Sequence, residues 1–141
     1  MIHLFTLTGQ LRLVGVALIG MGLFHAVLPR LIDWPADLTG TSLLTRQVSY
    51  AHLFFIAFTC MLLGALPLAF PTELLSGAPL STALLAAETV FWGIRWLLQF
   101  AYFSPRLWRG DRFRTASHVA LSVLWTWVTA IFVLALAHVL G

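Results

Sequence analysis

Lysine is absent from this chain, cysteine occurs once, and Asp, Glu, Lys and Arg together make up only 9% of 141 residues. Each shortage excludes something. A soluble domain carries about a quarter charged residues, so a water-facing surface of ordinary composition is ruled out. The lone Cys60 excludes an intrachain disulfide and any cysteine-based zinc or iron–sulfur site; with small neighbours inside an apolar run, it reads as a packing residue. The first eleven positions hold no Lys or Arg, and the first apolar run continues into His25-Ala26-Val27-Leu28-Pro29-Arg30, a poor peptidase site. That run is therefore expected to be a retained span, not a cleaved signal peptide. No internal repeat, phosphate loop or Ser-His-Asp or Cys-His constellation is present, and no HxxxH or ExxH pair. No catalytic residue and no metal site is assigned.

What the chain has in plenty is hydrophobic sequence, 60% of its residues. It gathers into four stretches near the length a bilayer requires, about 20 residues each: spans at about 11–29, 46–70, 80–103 and 116–140. Short connections between them predict an all-α fold, an integral membrane up-and-down four-helix bundle. Little chain is left over, so residues 1–141 read as a single membrane domain. The eight basic residues are all arginines. Arg106, Arg109, Arg112 and Arg114 crowd the connection between spans three and four, while Arg30 and Arg46 bracket that between spans one and two. The positive-inside rule puts both connections in the cytoplasm. The Pro71–Pro79 link, with Glu73 and no Arg, then lies outside, as do both termini on the outer (periplasmic) side; Arg12 is the one contrary charge. The arginines are too few and too tied to span ends to read as a nucleic-acid surface. The expected partners are the lipid bilayer and, within it, other membrane subunits or a homo-oligomer.

The connections carry local signals. Pro29 to Gln47 is the longest and reads as an interfacial loop with Trp34 at headgroup depth. Thr41 or Ser42 is placed to N-cap the helix that follows. Pro67 kinks or ends the second span, and Pro105 stops the third after Tyr102 and Phe103. Gly15, Gly22 and Ala26 fall along one side of span one, and Ala57, Cys60 and Gly64 along one side of span two. Both sets permit close helix approach. Arg109-Gly110-Asp111 matches an adhesion tripeptide, but short matches arise by chance and this one is predicted to face the cytoplasm.

Ionisable residues within a span cost at least about 2.5 kcal/mol each, so those present point to where side chains must meet protein, water or ligand. Glu88, Trp92, Arg95 and Gln99 recur at helical spacing and form one stripe along the third span. Arg95 is expected to lean towards Glu88 and Trp92, because helical side chains slant towards the N-terminus. Counted from the arginines at the rise of about 1.5 Å per residue, His25, His52 and His118 lie roughly 6–9 Å inside the cytoplasmic boundary and Gln99 roughly 10 Å. They form a polar ring there, whereas His3 and His138 lie towards the other side. Three readings of the ring compete: axial ligation of a b-type haem, a three-histidine metal site, or separate hydrogen bonds between spans. The metal reading is the weakest, for want of a second carboxylate at that depth. For Arg95, one account is structural: stacking on Trp with Glu88, Thr126 or Thr129 as acceptor. The other is a pocket walled by Trp92, Trp96, Trp125 and Trp127, suited to a quinone, an anionic substrate or a haem propionate.

The run Leu11-Arg12-Leu13-Val14-Gly15 through Gly22-Leu23-Phe24-His25 resembles the first span of DoxX-like proteins. These are small four-helix bacterial membrane proteins, some of them linked to redox or detoxification complexes. The resemblance implies a multi-pass protein of the bacterial cytoplasmic (inner) membrane. Phe91-Trp92-Gly93-Ile94-Arg95 and the rest of spans three and four do not follow that pattern. The b561-type dihaem cytochromes also place His on spans one, two and four. Here His118 and His138 are nearly a full span apart, so a single haem on the cytoplasmic side is all that likeness would allow. Three functions stay open: a non-catalytic accessory or assembly subunit of a membrane complex, a redox module holding one b-type haem or a quinone, and a small proton-coupled transporter.

Overall fold

The computed structural model describes residues 6–141; His3 lies outside them. Its elements in order are α1 (Leu7–Phe24), α2 (Leu28–Leu31), α3 (Trp34–Asp37), α4 (Leu43–Ala69), α5 (Pro71–Leu74), α6 (Pro79–Ala101), a 3-10 turn at Pro105–Leu107, and α7 (Arg112–Leu140). No strand occurs among the described residues. Contacts divide the chain into two compact units, Arg12–Phe70 and Met1–Leu11 with Pro71–Gly141.

In the first unit, α1 ends at Phe24, short of the expected boundary. Pro29 is the physical reason: continued as a helix, its ring would strike the carbonyl of His25. His25, Ala26 and Val27 instead make i→i−3 turn bonds to Gly22, Leu23 and Phe24. The loop expected from Pro29 to Gln47 contains two four-residue helices, α2 and α3, each with proline in its first turn, where its fixed φ suits helix entry. Ser42 caps α4 as anticipated, its hydroxyl accepting from the Thr45 N–H at 3.2 Å. Pro67 sits within α4, which ends at Ala69 ahead of Pro71.

The small residues of α1 and α4 meet as the sequence predicts. A Cβ placed on Gly15 would lie 2.6 Å from the Gly64 carbonyl oxygen, and one on Gly64 would lie 2.8 Å from that of Gly15. A Cβ on Gly22 would come within 2.7 Å of the Ala57 carbonyl oxygen. No side chain larger than hydrogen fits at these crossings.

In the second unit, α6 packs against α7. Asp111 begins α7, its Oδ1 accepting from the Arg114 N–H at 3.0 Å, just after Gly110 at φ +89°. The tripeptide Arg109-Gly110-Asp111 is thus a helix start. This cap draws α7 back to Arg112, several residues before the expected boundary. Trp125, Val128, Phe132 and Ala135 bury one face of α7, and Leu85, Glu88, Trp92 and Gln99 one face of α6, both at the spacing a helix stripe requires.

Outside these contacts the helices are greasy. Phe54, Phe55, Phe58 and Leu62 of α4 and Val90, Phe91, Ile94 and Leu97 of α6 are all exposed, far more apolar surface than a soluble protein leaves in water. Leu7–Phe24, Leu43–Ala69 and Arg112–Leu140 are long and apolar enough to cross a membrane, as in a multi-pass membrane protein. The 23-residue α6 is long enough too, but Glu88, Arg95 and Gln99 lower its hydropathy.

Candidate functional site

The polar stripe of α6 lies against α7, where it forms two linked groups. Glu88 is 2% exposed and Trp92 1%; they stand one turn apart, and the Trp92 indole N–H donates to Glu88 Oε2 at 2.7 Å. Glu88 Oε1 has no hydrogen-bond partner. The Trp92 ring stacks on Trp125 of α7, centroids 5.3 Å apart and planes 11° from parallel. Thr129 donates to the Trp92 carbonyl at 3.1 Å, which fastens the same level of the two helices. Trp96 reaches across to donate to the Thr126 hydroxyl at 2.9 Å.

Arg95 belongs to the other group. Its guanidinium carbon lies 4.8 Å from the centre of the Trp125 ring, close enough for a cation–π contact. Its Nη1 donates to Gln99 Oε1 at 3.1 Å. The expected lean towards Glu88 is corrected on this point: the bond to Gln99 runs towards the C-terminal end of the helix. Seven residues of rise, about 10.5 Å, separate Arg95 from Glu88, whereas Gln99 is its neighbour on the next turn. Of the threonines expected beside Arg95, Thr126 accepts from Trp96 and Thr129 donates to the Trp92 carbonyl.

Gln99, 3% exposed, continues the chain to α7. With its carbonyl oxygen turned to Arg95, its amide nitrogen is left to donate, and it lies 3.0 Å from His118 Nδ1. A primary amide nitrogen only donates, so Nδ1 accepts and the neutral imidazole of His118 carries its proton on Nε2. The ring stacks on Trp108, centroids 3.8 Å apart. From Trp92 to Trp108 the sequence Trp92–Trp125–Arg95–Gln99–His118–Trp108 is continuous.

The three histidines of the expected ring have different surroundings. His118 belongs to the second unit and is held by Gln99 and Trp108. His25, in the turn after α1, places Nδ1 2.7 Å from the Met21 carbonyl; since a carbonyl only accepts, Nδ1 carries a proton, and in the neutral imidazole Nε2 is then the acceptor. His52 is exposed on α4. No group of three or more His, Cys, Asp or Glu side chains placed to hold a metal ion occurs among the described residues. Beyond these, Trp108, Gln10 and Phe103, whose ring centre lies 6.0 Å from the Arg95 guanidinium carbon, were not anticipated. Gln10 accepts from the Trp127 indole N–H at 2.9 Å, and its one sequence signal is a polar side chain near the start of an apolar run.

Compared with known proteins, the chain matches no family model, no curated protein and no solved structure, so the resemblance to DoxX-like proteins finds no support there.

Proposed function

We propose that this chain is a small protein of the bacterial inner membrane that acts as a non-catalytic accessory or assembly subunit of a membrane complex. In this reading α1, α4, α6 and α7 all cross the bilayer as an up-and-down bundle, with both termini outside and the arginine-rich connections in the cytoplasm. Support for α6 as the fourth span comes from its two faces: the polar one is buried, and Val90, Phe91, Ile94 and Leu97 on the rest are exposed. A helix built this way hides its charge in protein and offers lipid an apolar surface.

One observation carries the accessory reading. Apart from Glu88 Oε1, the α6 stripe makes its hydrogen bonds within the α6–α7 pair, and the Gln99 amide puts the proton of neutral His118 on Nε2. A haem iron or metal ion would need a lone pair at that nitrogen. The exposed aromatic faces then remain for lipid, partner subunits or a second copy.

The experiment is to purify the chain and reconstitute it alone in liposomes. A visible spectrum without a haem band, lipid extracts without stoichiometric quinone, and no catalysed flux are expected. In native membranes the chain should run within a larger assembly on mild solubilisation. A haem band, bound quinone or robust activity from the chain alone would overturn the reading.

A second reading, a proton-coupled carrier, draws on Glu88 Oε1, a buried oxygen without a partner. It predicts a pH-dependent flux abolished by Glu88→Gln. Flux that survives this substitution with its pH dependence intact would end it.

A further inference from the structure

One cavity lies within the first unit, among residues of Arg12–Phe70. It measures about 530 Å³ and is bounded by the end of α1, the α2–α3 connection and α4, a volume typical of pockets that hold small molecules. Its walls are unequal. Leu23, Leu53, Phe54 and Met61 make one part wholly apolar, whereas His25, Arg30 and Tyr50 bring the polar groups. No Asp or Glu lines it; Asp33 and Asp37, in the same connection, do not contribute.

The polar groups are unspent. The Arg30 guanidinium and the Tyr50 hydroxyl have no hydrogen-bond partner among the described residues. His25, one of the lining residues, commits Nδ1 to Met21, so Nε2 is the ring nitrogen left for a ligand, an acceptor in the neutral ring. Two donors, one of them cationic, stand with one acceptor beside an open apolar groove. A free phosphate would satisfy the donors but not the apolar walls, and a hydrocarbon would do the reverse. An amphiphile with an anionic, hydroxyl-bearing headgroup satisfies both.

We propose that this cavity is a binding site for an anionic phospholipid of the phosphatidylglycerol class, with its phosphate on Arg30 and Tyr50, a headgroup hydroxyl on His25 Nε2, and an acyl chain along the groove. Basic pockets between membrane helices bind acidic headgroups for the same electrostatic reason. Gly22 helps shape the groove: it is one of the lining residues, and its lack of a Cβ lets α1 lie directly on Ala57. The site rests on the chain lying in a bilayer, but on no particular role within it.

Native mass spectrometry of the full chain released from micelles tests the site, with phosphatidylglycerol and phosphatidylcholine supplied in equal amounts. The expected result is retention of phosphatidylglycerol several-fold above phosphatidylcholine. Arg30→Gln should remove that preference and Tyr50→Phe reduce it, while Arg46→Gln, whose arginine does not line the cavity, should leave it intact. Helicity by circular dichroism establishes that each variant is folded; if Arg30→Gln is not, Tyr50→Phe carries the same test. Equal retention of both lipids overturns the site. So does equal loss with Arg46→Gln, which would mean diffuse surface charge, or displacement of the lipid by inorganic phosphate or by a quinone. Such a failure leaves the accessory reading standing, because that reading is judged by spectrum and flux.

Discussion

Gln99 and His118, nineteen positions apart in sequence, share a hydrogen bond of 3.0 Å between α6 and α7. The same Gln99 side chain accepts from Arg95, so one amide serves a cation on its own helix and an imidazole on the next. Exchanging its carbonyl and amino ends would set the amide donor against the Arg95 guanidinium and break that bond. This small device sets the protonated nitrogen of His118 and gives a half-buried guanidinium an acceptor.

Replacing Gln99 with Leu should therefore cost more than its volume change suggests. It removes an acceptor from Arg95 and the donor of His118 together, both half-buried groups, and a hydrogen bond of this kind contributes about 0.5–1.5 kcal/mol. Reversible unfolding of the reconstituted chain by a denaturing detergent should show a loss of about 1 kcal/mol or more. His118→Ala, which spares the Arg95 bond, should cost less.

The Glu88–Trp92 pair calls for a double-mutant cycle. Trp92→Phe leaves the carboxyl without its one donor, and Glu88→Leu leaves a buried indole N–H without its acceptor. Each should destabilise, but the double substitution should cost less than the sum, with a coupling of about 1 kcal/mol or more. Strict additivity in the same unfolding assay would show that the 2.7 Å bond contributes nothing.

Glycine positions divide cleanly. Gly64→Leu forces a side chain into the α1–α4 crossing, where even a Cβ would meet the Gly15 carbonyl; overpacking of this kind costs about 1–3 kcal/mol. Gly93 of α6 has nothing within 4 Å of such a Cβ, so Gly93→Ala should be tolerated or stabilise by up to about 1 kcal/mol through helix propensity. Thermal melts of the two variants in one detergent separate these outcomes.

These results also show what was readable beforehand. The Ser42 cap and the Gly15–Gly64 crossing follow from local rules, since a capping hydroxyl before an apolar run and small residues at helical spacing act through their own backbone. The stripe from Glu88 to Gln99 was legible for the same reason, as period alone puts those residues on one face. The direction in which Arg95 forms its hydrogen bond was not. Period fixes the face but not the choice among neighbours on it, and that choice depends on where Trp125 and His118 of another helix stand. The Trp108 contact was hidden further still, because a residue in an irregular turn has no period to betray its neighbour.

The proposed orientation has its own check. With Cys60 replaced by Ala, a single cysteine at Ser76 should react with a membrane-impermeant maleimide on intact spheroplasts. One at Arg109 should react only after permeabilisation. The reverse pattern would invert the topology, and labelling of both on intact cells would mean that α6 does not span.

The paired rings of Trp92 and Trp125 give the molecule an optical signature. Two indoles held 5.3 Å apart and nearly parallel couple their ultraviolet transitions, and a coupled pair contributes a near-ultraviolet circular dichroism that separate tryptophans do not. One indole belongs to α6 and the other to α7, so that signal exists only while the two helices stay in register. The chain thus carries a label-free gauge of its own helix packing, readable in any membrane mimic transparent enough for the measurement.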